Sequence, residues 1–524
     1  MISFHKQSII QATFLLTLVS FIGKGLGFIR EMSIASVFGA KTITDAYVVA
    51  QVLPATLAGL VGGALTTVFI PVFLEQKEKY GEKQAWKAAN TVISVSIIYL
   101  SIATIFALVF TYPFTGLIAP GFSQEKRDLA VLITRMMLPC LILYGLLGLF
   151  TGLLQSYKHF FIPAIGGLLF NIFIIGFVLV FGKKFPAGSL AIGNILGILS
   201  QVVIAFWYLK KRISHLEWHI DFKHPAVRQT FYLMIPILIG TSAGYINLIV
   251  DRIFASGLPE GSISALNFAA RVRDLPVSLF ASSIATAVYP TTSELVANND
   301  IEKIRNLLIK TLSFTWLIIL PATAGLMALD KDIIRLLFER GAFDPRATYL
   351  TAGALRYYSI GIFAIASSPV VARTFYSFQD TVTPVVVSFI SIGLNIVLNS
   401  ILVRSMLHEG LALATSISGT FTFILLIFLL RKKMQSIGGR FLLIDFSKIT
   451  IASLIMGYVV RELNLKFVKS NGSLIYEILS ITILIVIGIL VYILFVFLLK
   501  VKSGVQLRDL IERHIKIPKR TTKI

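Results

Sequence analysis

One cysteine, Cys140, is the whole of this chain's thiol chemistry. No intramolecular disulfide can form, and no cysteine cage can hold a metal. Charge is scarce as well: Asp, Glu, Lys and Arg make up 14% of the 524 residues, against roughly 25% in soluble globular chains. With 56% hydrophobic residues and a mean hydropathy of +0.83, that deficit excludes a secreted enzyme, a disordered tail and a fibrous protein. Seven histidines are scattered without HExxH or any other ligand spacing. A Walker loop, a GxSxG elbow and a GxGxxG turn opening a βαβ unit are all missing, so no motif for ATP hydrolysis or nucleophilic catalysis is present. What remains is a series of long apolar runs from end to end, the pattern of a polytopic membrane protein. A secondary transporter is the class this leaves, ahead of a channel or an intramembrane enzyme, and no cofactor is required.

Segments able to cross roughly 30 Å of hydrocarbon begin near Ile10, Asp45, Ala88, Leu129, Phe160, Ser189, Phe231, Ser262, Leu307, Thr348, Thr383, Leu411, Phe446 and Ser473. They predict an all-α polytopic fold of about 14 transmembrane helices. The first apolar stretch is too long for a cleaved signal, and no small-residue cleavage site follows it. The net charge of +22 is unevenly placed: 27 Lys and Arg lie on the side holding both termini, 13 on the other, and 8 within or at the ends of spans. The positive-inside rule then puts both termini in the cytoplasm of a multi-pass bacterial cytoplasmic-membrane protein. The basic tail from Lys500 to Lys523 would lie on anionic membrane lipids. Without an RNA- or DNA-binding motif beside the charge, no nucleic-acid partner is expected.

The chain also repeats itself. Thr67, Pro71 and Glu75 return as Thr286, Pro290 and Glu294, an offset of 219. Ser156, Tyr157 and Pro163 match Ser377, Phe378 and Pro384, while Leu190-Ala191 and Lys210-Lys211-Arg212 match Leu411-Ala412 and Arg431-Lys432-Lys433, at an offset of 221. Each repeat holds six helices, an even number, so both enter from the same face. This is a parallel repeat about an axis along the membrane normal. The expected organisation is two parallel six-helix lobes around a central cavity, residues 1–221 and 222–440. Two extra C-terminal helices (441–503) form a candidate lipid-tail groove, and a basic cytoplasmic tail (504–524) follows.

Ionisable residues inside a span are costly and by default face a cavity or a partner. The first helix holds Gly23-Lys24-Gly25-Leu26-Gly27-Phe28-Ile29-Arg30-Glu31. Lys24 lies roughly 21 Å into the span at 1.5 Å per residue, and Glu31, seven residues on, shares its face. A Lys24–Glu31 ion pair is the bland reading; two cations against one anion favour a cavity lining. Three alternating glycines permit a bend. The eighth span carries Arg271, Arg273, Asp274 and Pro276. Arg271 and Asp274 could neutralise each other at i, i+3, yet one cation is left over. Surplus positive charge in both lobes describes a cavity for an anionic substrate, and arginine's planar fork suits phosphate. Asp45 is a further polar, span-associated candidate. Asp251, Asn395, Asn399 and Thr415 offer oxygen ligands for a hard cation such as Na⁺, against the simpler alternative of hydrogen bonds between helices.

Several segments resemble the MurJ/MviN family, lipid II flippases of the multidrug/oligosaccharidyl-lipid/polysaccharide exporter superfamily. They are Gly25-Leu26-Gly27-Phe28-Ile29-Arg30-Glu31, Thr44-Asp45-Ala46-Tyr47, Leu53-Pro54, Leu336-Leu337-Phe338-Glu339-Arg340-Gly341-Ala342-Phe343-Asp344 and Phe375-Tyr376-Ser377-Phe378-Gln379-Asp380-Thr381-Val382-Thr383-Pro384. The resemblance covers essentially the whole chain, including the extra C-terminal pair. It implies lobes rocking around a cationic cavity, lipid II as the substrate in peptidoglycan synthesis, and substrate cations at Lys24, Arg30 and Arg271. Arginine often follows Leu-Pro in the family's second helix, where this chain has Ala58 and Gly59. The family's sodium site is similar to Asp251, Asn395, Asn399 and Thr415, and the prenyl tail falls to the last two helices. Cell-wall synthesis proteins are possible partners. The rival readings are a flippase for another undecaprenyl-linked glycan, a cation-coupled multidrug exporter, and a scaffold that recruits cell-wall enzymes.

Overall fold

The computed structural model describes residues 9–210, 218–467 and 474–501, which are helical with short connections and contain no strand. Fourteen membrane-length segments can be followed among the described residues. We label them α1 (Ile9–Phe38), α2 (residues 42–80), α3 (82–109), α4 (Gln124–Ser156), α5 (Phe161–Phe181), α6 (Pro186–Lys210) and α7 (Pro225–Ser256). Then come α8 (262–297), α9 (Ile301–Ala328), α10 (345–377), α11 (382–406), α12 (408–434), α13 (Gly439–Phe467) and α14 (Leu474–Leu498). The helix between residues 52 and 109 is divided at Gly81 (φ 82°), and the one between 382 and 434 at Leu407 (φ 51°). α8 contains a π turn at Val277–Ala281 directly after Pro276, and α10 bends by 45° at Gly361. Several helices begin up to seven residues before the expected apolar start, as α13 does at Gly439. Their first turns carry charged or polar residues ahead of the main apolar run; Asp300, for example, caps α9 through the Lys303 amide at 3.1 Å.

Backbone geometry repeats along with the sequence. Left-handed residues recur as Gly39 and Gly261, Gly81 and Asn299, and Lys158 and Gln379, at separations of 222, 218 and 221. The third pair ends α4 and α10 in the same way. His159 N donates to Leu154 O at 2.8 Å, and Asp380 N donates to Phe375 O at 3.0 Å. Each is the long bond of a Schellman motif closed over a left-handed residue. Thr67 and Thr286 likewise both donate to the carbonyl four residues back, at 3.0 and 2.8 Å.

By packing, the chain forms two compact units. The first holds residues up to Ser264 together with Phe338–Ala347; the second holds Ala265–Leu337 and residues from Thr348 onward. The first unit's core is built on Phe69, Phe73, Trp86, Leu149 and Leu153. There α2 and α4 touch backbone to backbone, since a Cβ on Gly148 would collide with the Gly62 carbonyl. Such small-residue contacts are how helices pack closely when lipid offers no hydrophobic drive. In the second unit Trp316 lies edge-on to Phe423 and Phe446, and its Nε1 donates to Ser367 Oγ at 2.9 Å. Tyr492 Oη donates to the Leu317 carbonyl at 2.8 Å, which ties α14, a helix without a counterpart in the first half, onto α9.

Candidate functional site

Arg30 sits two-thirds of the way along α1, which stays helical across all three glycines. Its Nη2 reaches the neighbouring Glu31 carboxylate at 2.7 Å, its Nη1 donates to Asn171 Oδ1 at 3.1 Å, and its guanidinium lies 5.7 Å from the Phe170 ring centroid. Gly27 faces the same amide: a Cβ there would lie 3.8 Å from Asn171 Oδ1, in ordinary contact. Asn171 is held in turn by its own bond to Gly167 O at 3.0 Å. The fork is therefore fixed in one orientation, half-buried, with further N–H groups available. Lys24, on the same helix, is exposed. Phe170 and Asn171 gave no signal in the sequence, because an apolar helix with one asparagine reads as ordinary packing.

Asp45 is fully buried. Its carboxylate takes Lys126 Nζ at 2.7 Å, Gly261 N at 2.9 Å, Ser264 N at 2.8 Å and the Ser264 hydroxyl. Close by, Glu260 accepts from Thr42 N and Oγ1 at 2.6 and 2.7 Å, and these two bonds hold its carboxyl below the usual range. Gly121 N donates to Ser256 Oγ at 3.0 Å, and Ala342 N to Ser36 O at 2.8 Å. All of this lies within the first unit, at the shared end of α1, α3 and α7. Gly39 and Gly341, both at positive φ, are required here: a Cβ on either would strike the backbone carbonyl of Ala342 or Ser36. The result is a hydrogen-bonded clasp that gathers residues 257–264 and 338–344 onto the first unit. Lys126, Glu260 and Ser264 are thus partners of Asp45 and Thr42 that sequence reading did not find.

In the second unit Asp274 is taken by its neighbour Arg273, through Nε at 2.9 Å and Nη2 at 2.8 Å, and the guanidinium lies 4.6 Å from the Tyr358 ring. Arg271 is exposed on the same helix, just ahead of Pro276 and the π turn. Asn395 and Asn399 are buried one turn apart, Asn399 Nδ2 donating to Asn395 Oδ1 at 2.9 Å, while Asn395 Nδ2 is buried without a hydrogen-bond partner. Turning both amides over keeps their mutual bond and only moves the oxygen outside it from Asn399 to Asn395. An oxygen-seeking cation fits such an arrangement. Thr415 Oγ1 donates to Leu411 O at 3.0 Å, and its lone pairs remain as acceptors. Asp251 belongs to the first unit and is half-buried. Among the described residues there is no cluster of three or more His, Cys, Asp or Glu able to hold a metal.

At Gly59 the structure explains how the second helix is filled without a side chain. A Cβ there would overlap the hydroxyl of Tyr245 from α7, so that phenol stands in the space. Within the second unit, an apolar groove of 540 Å³ runs between α8, α9, α13 and α14, lined by Pro276, Phe280, Pro321, Met456, Gly488 and Tyr492.

Residues 34–482 match the family described as Lipid II flippase MurJ. A lipid II flippase MurJ of Burkholderia cenocepacia is 31% identical over 437 residues, 80% of this chain and 83% of its own length. A probable lipid II flippase MurJ of Rickettsia prowazekii is 30% identical over 416 residues, 79% of this chain and 82% of its own. Among solved structures, a lipid II flippase MurJ in an inward closed conformation aligns with a TM-score of 0.79 at 27% identity, over 95% of this chain and 100% of that one. An inward-facing multidrug resistance MATE transporter of the MOP superfamily has a TM-score of 0.67 at 14% identity, over 79% and 94% of the two chains, and shares the fold. With family, relatives and fold in agreement over most of its length, this chain belongs to the lipid II flippase MurJ family.

Proposed function

We propose that this chain is a flippase, not an enzyme, that moves lipid II from the inner to the outer leaflet of the cytoplasmic membrane for cell-wall synthesis. The family match across residues 34–482 carries the reading. Transport proceeds by alternating access of two lobes, residues 1–221 and 222–440, with both termini in the cytoplasm. In that orientation the clasp around Asp45 lies at the outer end of the first unit.

The pyrophosphate of lipid II needs charge-assisted donors that do not have to reorganise. Arg30 supports this role because Glu31 and Asn171 already set its plane, and a pre-oriented fork loses little entropy on binding two oxygens. Lys24 supplies a point charge, and Arg271 with Arg273 supplies cations from the other lobe, balanced by Asp274. Asp45 acts by holding the clasp. A sodium ion would be held by oxygens of Asp251, Asn395, Asn399 and Thr415 and would contribute positive charge. The groove beside α13 and α14 suits the prenyl tail, since its lining is almost wholly apolar.

The test is outer-leaflet accessibility of lipid II in cells depleted of their own flippase and supplied with this chain. Arg30→Ala and Arg271→Ala, each verified to insert, are expected to abolish delivery, with Arg30→Lys retaining part of it. Normal delivery in both alanine variants would remove the anchoring role. Delivery of a different undecaprenyl-linked glycan, but not lipid II, would reassign the substrate.

A further inference from the structure

A second cavity, of 640 Å³, lies in the second unit at the end of α9, between that helix end and α13. It is where charge resumes beyond both apolar runs: Asp330, Lys331 and Asp332 follow that of α9, and Arg461 follows that of α13. The carboxylates are already engaged. Asp330 accepts from Arg356 Nε at 2.6 Å and from Lys331 N at 2.7 Å; Asp332 accepts from Arg335 Nη2 at 2.7 Å and from Asn464 Nδ2 at 2.6 Å. Glu477 lies 3.4 Å from Arg335 Nε. Two cations are left over. Lys331 is exposed, with its ammonium 5.2 Å from the Tyr349 ring and no carboxylate of a described residue within ion-pair distance. Arg461 is exposed and makes no hydrogen bond or ion pair with a described residue.

Arg461 also has a particular place on its helix. Ile451, Leu454, Tyr458, Arg461 and Leu465 are spaced by three, four, three and four residues, which puts them on one face. All five are exposed. An apolar stripe thus rises along α13 to a guanidinium at the level where the spans become polar, with a cavity beside it. We propose that this cavity binds the phosphate of an anionic phospholipid from the surrounding bilayer, with the acyl chains lying along the Ile451–Tyr458 stripe. Lys331 and Arg461 make the phosphate contacts. The stripe faces outward from α13, whereas the 540 Å³ groove reaches Met456 and Val460 on another face. The two sites are therefore distinct, and this one does not depend on which lipid the protein transports.

The test uses the full chain carrying Leu454→Trp, reconstituted in phosphatidylcholine vesicles with acyl-brominated phosphatidylglycerol or acyl-brominated phosphatidylcholine at equal mole fraction. Tryptophan quenching is expected to show a preference for the anionic lipid. Arg461→Gln, which disturbs no internal pairing, should lower that preference about fivefold, and Lys331→Gln/Arg461→Gln should remove it, each cation near an anionic surface being worth about that factor. Retention of phosphatidylglycerol by the purified protein, read by native mass spectrometry, should fall in the same order. Equal quenching by both lipids, or a preference unchanged in the double variant, overturns the proposal. Displacement of phosphatidylglycerol by a lower concentration of a polyprenyl pyrophosphate also overturns it, because the cavity would then belong to the transported lipid.

Discussion

Asp45 illustrates how much a single buried carboxylate can organise. It holds one ammonium and three hydrogen-bond donors drawn from residues 81 to 219 positions away. Sequence reading marks it as a polar residue at a span, but nothing local reveals partners that far along the chain. Removing the charge leaves the half-buried Lys126 and three buried donors without their acceptor, and breaking a buried ion pair typically costs about 3–5 kcal/mol. Asp45→Ala is therefore expected to lower the unfolding midpoint of the purified protein strongly, and Lys126→Met to do so less; equal, small effects would show the clasp to be weak. Asp380 offers a pH test at the same scale. Lys433 Nζ at 2.8 Å holds its carboxyl below the usual carboxylate range, helped by Thr383 N and Oγ1. A folded-state pKa below the unfolded value of about 3.9 gives stability that is present above that value and is lost as pH falls through the lower one. In unfolding midpoints measured against pH, the advantage of the native chain over Asp380→Asn should shrink below about pH 4.

The helix ends of α4 and α10 give an element-scale prediction. Both Schellman motifs put a long side chain, Lys158 (φ 62°) and Gln379 (φ 58°), where glycine has no Cβ penalty. Lys158→Gly and Gln379→Gly should each stabilise by about 1 kcal/mol, read as a raised midpoint; a lowered one would mean that the side chain outweighs the strain. Helix number and order were legible in the sequence because most spans are long apolar runs, and the offset of 221 was legible because turn residues recur with it. The breaks were less so. Gly81 lies in a charged stretch that marks a turn, but Leu407 takes φ 51° within Met406-Leu407-His408, where no glycine or proline announces it. The π turn after Pro276 was equally hidden. Proline marks a disturbed helix, but whether the helix kinks or inserts a residue is decided by what packs against it.

For the whole molecule, energetics follow from the charge of the cargo. An inside-negative potential favours moving negative charge outward by roughly 2.3 kcal/mol per charge per 100 mV. The second carboxylate that would strengthen a cation site beside Asn395 is an amide, Asn399. Collapsing the membrane potential is thus expected to arrest lipid II delivery, while removing sodium slows it less, and Asn399→Asp should increase any sodium dependence. Delivery that persists without potential and stops without sodium would reverse this order. The buried state of Cys140 carries a practical consequence of a different kind. A chain whose sole thiol is shielded presents almost no background to water-soluble maleimides. Cysteines can be introduced directly into the otherwise native protein at Gly25, Gly63, Gly240 or Gly244, where an added Cβ meets nothing within 4 Å. Labelling rates from each side of the membrane, followed while substrate is supplied or withheld, would chart which surfaces water reaches at every stage of the cycle.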